Sequence, residues 1–373
     1  MLLEVRTKRG FVCPFSGAYT SQHGRSDGRT EERPQSSSLL RTGVCLLVTV
    51  CLALVACTPG ASGEADILTL NGPSMGTRYV VKIAGANKSD HARLSQTIET
   101  ELNRLNRIFS TYTPDSEISI LNQAERTGDF EVSAELWRVM KRADEIAEAS
   151  GGAFDMTVAP LVNLWGFSGQ TRPSFAQIER ELLETKAYVG RNTYELVTPG
   201  VVRKHHPRVS FDLSGIAKGY AVDVLAKLLS SRGFSNFLVE IGGEIRVAGA
   251  KPGASGWRLG LEAPQAETRA IVQVLELSNQ ALASSGDYRN YFEYEGTRYS
   301  HLIDPRSGYP TVSKNFAVNV IAENCMEADA WATALSILGP EQGLTLAAAN
   351  KLAAQMVVGN TTYKTEKFEA LGF

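Results

Sequence analysis

The sequence predicts an α+β fold, mainly antiparallel sheets packed against helices. Strand-like and helix-like segments come in blocks instead of strict alternation. Hairpin-type turns are marked at Asn71-Gly72-Pro73 and at Gly242-Gly243. No short-period repeat is visible, which excludes solenoid and propeller arrays. At 373 residues, 43% of them apolar, the chain is long enough to bury the core of one large domain or two modest ones.

The elements follow in order. Ile67 to Leu70 and Thr77 to Ile83 read as two strands joined through "NGPSMG". Leu94, Ile98, Leu102, Leu105 and Phe109 recur every three to four residues, the stripe of a core-facing helix. A second amphipathic helix runs from about Ala134 to Ala149 and is stopped by Ser150-Gly151-Gly152. After a Pro/Ser-marked stretch near 168 to 175 comes a short helix, then a strand Val209 to Asp212 and a helix Ile216 to Ser231 that ends before Gly233. Strands are expected at Asn236 to Ile241, Glu244 to Ala248, Arg258 to Glu262, Ile271 to Leu277, Tyr291 to Tyr294, Arg298 to Ile303 and Phe316 to Ala322. A helix from about Glu327 to Leu338 stops at Gly339-Pro340, and one more helix and a strand Gln355 to Val358 complete the series.

The N-terminus reads differently. Residues 1 to 38 are rich in Ser, Arg, Gly and Gln without periodicity, and their length fits a misplaced translation start. Arg41 precedes an apolar run from Val44 to Ala56, too short to span a bilayer and suited to a signal-peptide core. Leu54-Val55-Ala56 before Cys57 resembles the lipobox of bacterial lipoproteins, in which the cysteine is lipidated and becomes the first mature residue. Thr58 to Gly63 follows as a flexible tether. The expected division is a signal region over 1–56, a lipidated Cys57 with tether over 57–65, and one domain over 66–373, held on a membrane and facing the periplasm.

Composition narrows the chemistry. A formal charge of −2 without a long basic run argues against nucleic-acid binding. Of five cysteines only Cys57 and Cys325 would survive cleavage, so the mature domain has no disulfide and no CxxC metal site.

Several turns carry polar groups beside apolar elements. "GGAFDMTVAPLVNLWGF" places Asp155 between a diglycine and Pro160. "FDLSGIAKGYAVD" puts Asp212 at a strand end, with Gly215 and Lys218 at a helix start where amides and an ammonium suit an anion. The glycine spacing is not that of a Walker A loop. In "EIGGEIRVAG" the diglycine lets backbone approach a ligand closely. In "ADAWATAL", Asp329 and Thr333 lie i, i+4 on one helix face, a hard-oxygen pair that suits Mg²⁺. "SHLIDPRSGYP", with Asp304-Pro305 and Gly308-Tyr309-Pro310, is a shaped turn leaving a short strand. Taken singly, most of these read as a helix cap or tight turn; Thr333 could bond back to its own helix beside a solvated Asp329.

In this order, together with "SMGT", "STYTPDSEISILN", "GGEI" and "SSGDYRNYF", these stretches closely resemble the ApbE-like FAD:protein FMN transferase family over roughly residues 66 to 360. The resemblance implies a T-fold-related α+β domain that binds FAD and Mg²⁺, moves FMN onto a threonine hydroxyl of a target protein and releases AMP. It implies that Met75, Tyr112, Ala153, Phe154, Asp155, Asp212, Lys218 and Ile303 contact FAD, with Tyr112 stacked on the isoalloxazine. It also implies that the Gly215 carbonyl with Asp329 and Thr333 holds Mg²⁺; Ser214 stands where the family more often has glycine. The acceptor would be a subunit of a membrane redox complex. A hydroxyl nucleophile needs a base, and His301 is the candidate, with Asp304 to orient it. His205 and His206 are expected on an exposed strand or turn. Two other readings remain, a periplasmic FAD pyrophosphatase and a flavin-binding lipoprotein without chemistry.

Overall fold

A computed structural model describes residues 67–169, 171–264, 270–287, 290–312 and 315–373. The expected signal region, Cys57 and the tether lie outside the described residues. The first hairpin shows where turn chemistry was misread. Strands β1 (Ile67–Ser74) and β2 (Thr77–Ala84) pair without a break through Asn71, Gly72 and Pro73, and the turn is Met75-Gly76. Both turn residues have positive φ, 49° and 73°, the two-residue geometry that follows strand twist. Pro73 is tolerated because β1 is an edge strand. Gly72 lies opposite Tyr79, whose ring fills the space a Cβ would need.

The helices α1 (His91–Phe109) and α2 (Glu117–Gln123) are followed by a short strand β3 (Gly128–Glu131) and then α3 (Ala134–Ala149). The expected α1 stripe, Leu94, Ile98, Leu102, Leu105 and Phe109, is buried, each side chain contributing roughly 1.5–3 kcal/mol of transfer free energy. Helix α3 is capped by Ser133, whose hydroxyl accepts from the Leu136 N–H at 3.1 Å. Then come α4 (Ala159–Leu164), α5 (Phe175–Lys186), the strands β4 (Tyr194–Thr198) and β5 (Val201–Lys204), and α6 (Ala217–Ser231).

The expected strand Val209 to Asp212 is extended but joins no sheet. Asn122 on α2 takes the place of a partner strand: its amide donates to the Phe211 carbonyl at 2.8 Å and accepts the Phe211 N–H at 2.7 Å. The next amide, Asp212 N–H, reaches the Met156 carbonyl at 2.7 Å.

The remaining strands are β6 (Phe237–Ile241), β7 (Glu244–Ala248), β8 (Trp257–Glu262), β9 (Ile271–Leu277), β10 (Ala281–Gly286), β11 (Tyr291–Tyr294), β12 (Thr297–Ile303), β13 (Pro310–Val312) and β14 (Phe316–Ala322). Helix α7 (Cys325–Ala349) precedes β15 (Ala353–Val358), β16 (Thr361–Lys364) and the short α8 (Glu366–Glu369). The stop expected at Gly339-Pro340 is present within α7: Gly339, at φ 74° and ψ −178°, leaves the helical region and divides α7 into two helices, the second opening at Pro340.

Eight strands form the central sheet in the order β1-β2-β6-β7-β10-β14-β15-β16, every pair antiparallel. Alternation divides its side chains between two layers. Val81, Val239, Ala283 and Val318 pack against α1, α6 and α7, while Leu238, Val247, Leu282 and Ile321 pack against β8, β9 and α8. A third cluster surrounds Trp165, with Leu161, Ile178, Phe292 and Ile303. Among the described residues no helix is long and apolar enough to cross a membrane.

Candidate active site

A cavity of about 890 Å³ opens where α6, α7, β12, the 153–155 turn and the β6–β7 turn converge, within the roughly 300–1,000 Å³ usual for ligand sites. Each wall has a local cause. At the end of α3, Ser150 accepts from the Phe154 N–H at 3.1 Å, and the Gly152 N–H returns to the Ala147 carbonyl at 2.8 Å. This closes the helix and turns Ala153, Phe154 and Asp155 into the cavity. Asp155 accepts from the Thr157 N–H at 2.8 Å and hydroxyl at 2.6 Å. Burial still raises its pKa, with Thr157 opposing.

Asp212 accepts from the Ser214 N–H at 2.8 Å, and this turn delivers Gly215 to α6. A Cβ on Gly215 would stand 3.0 Å from Thr333 Oγ1, so its backbone and the threonine hydroxyl are neighbours. Helices α6 and α7 meet at Gly219, where a Cβ would fall 2.3 Å from the Cys325 carbonyl oxygen. That contact lets the Gly219 N–H donate to Asp329 Oδ2 at 2.9 Å. Asp223, one turn later, caps α7 by accepting from the Cys325 and Met326 N–H groups at 2.9 Å, and Arg246 at 2.8 Å holds it in place.

Asp329 is buried, not solvated, and Lys218 Nζ lies 3.6 Å from its Oδ1. The same ammonium donates at 2.8 Å to Glu244, a buried residue at the start of β7. Burial raises the pKa of Asp329 and that of Glu244, with Lys218 opposing in both cases. For Lys218 burial acts to lower the pKa, but the two carboxylates outweigh it and leave the ammonium charged.

This corner fits a hard divalent cation. It buries two carboxylates against one ammonium, and Glu244 Oε2 has no hydrogen-bond partner among the described residues. Among the described residues no three His, Cys, Asp or Glu side chains gather to form a complete shell. An ion here would therefore complete its coordination with the Thr333 hydroxyl, backbone carbonyl, water and phosphate oxygens, as Mg²⁺ does.

His301 and Ile303 of β12 also line the cavity. His301 Nδ1 lies 3.1 Å from the Asn290 carbonyl, which also receives the His301 backbone N–H at 3.0 Å. A carbonyl only accepts, so Nδ1 carries the proton and Nε2 keeps its lone pair. Burial lowers the His301 pKa below its ordinary value of 6.5, keeping the ring neutral at pH 7. Asp304 does not orient the ring: it is occupied by Arg306, at 2.8 Å to Nε and 3.0 Å to the backbone N–H. The turn it closes is fixed from outside by Trp165, whose Nε1 donates to the Gly308 carbonyl at 2.8 Å.

Ala153, Phe154, Asp155, Asp212, Gly215, Lys218, Ile303, Asp329, Thr333 and His301 thus share one cavity. Met75 packs at the hairpin tip against the main core, and Tyr112 is 79% exposed on the loop after α1; neither lines the cavity. His205 is exposed, and His206 stacks on Tyr188. Glu244, Asp223, Asn122 and Asn290 all lie inside the stretches singled out in the sequence, but nothing local to them assigned a role. Only the i, i+1 neighbourhood of the diglycine could have drawn attention to Glu244.

The ApbE family model matches residues 75–357. The chain belongs to the ApbE family. FAD:protein FMN transferase of Vibrio cholerae serotype O1 is 40% identical over 314 residues, covering 83% of this chain and 92% of the relative. That of Haemophilus influenzae is 36% identical, over 87% and 96%. Among solved structures, the flavin transferase ApbE from Vibrio cholerae superposes with a TM-score of 0.75 at 38% identity, covering 82% of this chain and 99% of that one. The apo Pseudomonas stutzeri flavinyl transferase ApbE gives 0.72 at 34% identity, over 82% and 96%. The ApbE likeness spans the whole cavity, from the β2 strand to α7.

Proposed function

We propose that this ApbE-family protein is a FAD:protein FMN transferase whose acceptor is a threonine hydroxyl and whose reaction depends on Mg²⁺. The observation that carries the mechanism is the presence of two chemistries in one cavity, the Lys218–Glu244–Asp329 corner and a neutral His301 whose proton sits on Nδ1. FAD lies along the wall of Ala153, Phe154, Asp155, Asp212 and Ile303. Lys218 faces its pyrophosphate. Asp329, Thr333 and the Gly215 carbonyl would hold Mg²⁺, which supplies charge neutralisation at the phosphate oxygens when bound.

The acceptor oxygen attacks the phosphorus on the riboflavin side. A new P–O bond forms to threonine, the bridging P–O bond breaks, and AMP leaves with the bond's electron pair. His301 Nε2 takes the hydroxyl proton. Positioning and electrostatics supply most of the rate, as in phosphoryl transfer generally. A lipid on Cys57 would tether the domain on the periplasmic side of a membrane, beside an acceptor subunit of a membrane redox complex.

The test is incubation with FAD, Mg²⁺ and a redox subunit bearing a threonine site, read by in-gel flavin fluorescence and AMP release. Fluorescent acceptor with stoichiometric AMP is expected; free FMN and AMP without labelled protein would make the enzyme a FAD pyrophosphatase, and flavin binding without AMP a carrier. For the anchor, Cys57→Ala should abolish acyl labelling, and unchanged labelling would overturn it.

A further inference from the structure

Lys218 is not shared evenly between its two carboxylates. It is at hydrogen-bond distance from Glu244 Oε1, 2.8 Å, and outside it from Asp329 Oδ1, 3.6 Å. The two anions are equally buried, their side chains 4% and 5% exposed, so unequal solvation does not explain the preference. Asp329 cannot readily rotate toward the ammonium, because its Oδ2 is tied to the Gly219 N–H at the tight α6–α7 contact. Its Oδ1 therefore forms an ion pair with the ammonium at 3.6 Å, outside hydrogen-bond distance.

We propose that Glu244 is a positioning residue: by bonding the Lys218 ammonium it holds that charge off Asp329 Oδ1 and keeps this oxygen open to a divalent cation. The inference rests on the reading of Asp329 as a metal ligand. Without the Glu244 bond, the nearest anion to Lys218 is Asp329, and an ammonium closing on it would compete with the cation for one oxygen. Glu244 reaches Lys218 from a strand that begins after the Gly242-Gly243 turn, so the geometry depends on the full length of its side chain.

Glu244→Asp tests this, since it keeps the charge and shortens the reach by one methylene. Mg²⁺ affinity is read from the dependence of melting temperature on Mg²⁺ concentration without FAD, so the readout is independent of activity. Glu244→Asp should weaken Mg²⁺ by about 10- to 100-fold, the usual cost of losing an outer-sphere partner. In a Lys218→Met background, with no ammonium left to position, the same substitution should change Mg²⁺ affinity less than about threefold. The metal-free melting temperature reports folding, and Glu244→Met, which keeps the side-chain length but has no oxygen to accept from Lys218, must show the same dependence on Lys218 if Glu244→Asp does not fold. Wild-type affinity in Glu244→Asp overturns the proposal, because charge alone then suffices. Equal weakening with and without Lys218 also overturns it, since Glu244 would then bind the cation directly. Asp329→Ala separates the two readings: if Mg²⁺ still raises its melting temperature as in the wild type, or if the wild type shows no rise, the metal site itself is wrong and the proposal falls with it.

Discussion

The two chemical walls of the cavity are made in opposite ways. At the α6–α7 wall, Lys218, Glu244 and Asp329 come from three elements and are held by mutual charge and by one glycine contact. At the β12 wall, a single neutral ring is fixed by a backbone carbonyl eleven residues away and by a turn that closes on itself. The first wall concentrates charge where water is excluded, which strengthens every electrostatic interaction with a pyrophosphate. The second uses burial to favour an unprotonated imidazole. Loss of one member of the charged wall should disturb the others, whereas the histidine wall should fail alone.

The largest effect is expected at the charged wall. Asp329→Ala should lower Mg²⁺-dependent transfer by about 10³- to 10⁴-fold, the several kcal/mol a bound cation supplies at the phosphoryl group, while FAD affinity measured by fluorescence titration falls far less. Near-normal turnover in this variant would remove the metal from that wall. His301→Asn keeps a hydrogen-bonding side chain without a titratable base and should cost about 10²- to 10³-fold in transfer. Unlike Asp329→Ala, it should leave FAD affinity, Mg²⁺ affinity and melting temperature nearly intact. Loss of FAD binding and stability together would show that the ring is structural.

The pH profile sharpens the contrast further. A base must be neutral, and burial lowers the His301 pKa, so as the pH is lowered the transfer rate should fall with a midpoint below 6.5. A limb at or above 6.5 would assign the titration to another group. The smallest effects concern support. Gly219→Ala places a Cβ against the Cys325 carbonyl and should cost about 1–3 kcal/mol of stability by overpacking, with Mg²⁺ affinity falling alongside because Asp329 shifts. Asn122→Ala should cost a similar or smaller amount, about 1–3 kcal/mol, by leaving the Phe211 amide and carbonyl unpaired; denaturant melts of both variants check this.

The sequence by itself determined the α+β class, the stripes of α1 and α3, most strands of the central sheet and the family. Those signals are local: periodicity and turn chemistry act within a window of a few residues. It also marked the turn that follows His301, because Asp304-Pro305 and Gly308 restrict their own backbone. Other features had no local signature. Strand β10, Ala281–Gly286, is built of small residues with weak strand preference and exists because β7 and β14 pair with it. The Val209–Asp212 segment has strand composition but pairs with an asparagine side chain and a turn carbonyl instead of a strand. The Lys218–Glu244 bond, the tautomer of His301 and the exposure of Tyr112 were likewise decided only by tertiary structure. Each depends on which distant element removes water from a polar group or supplies its partner, and neither desolvation nor pairing across the fold is encoded in the residues beside it.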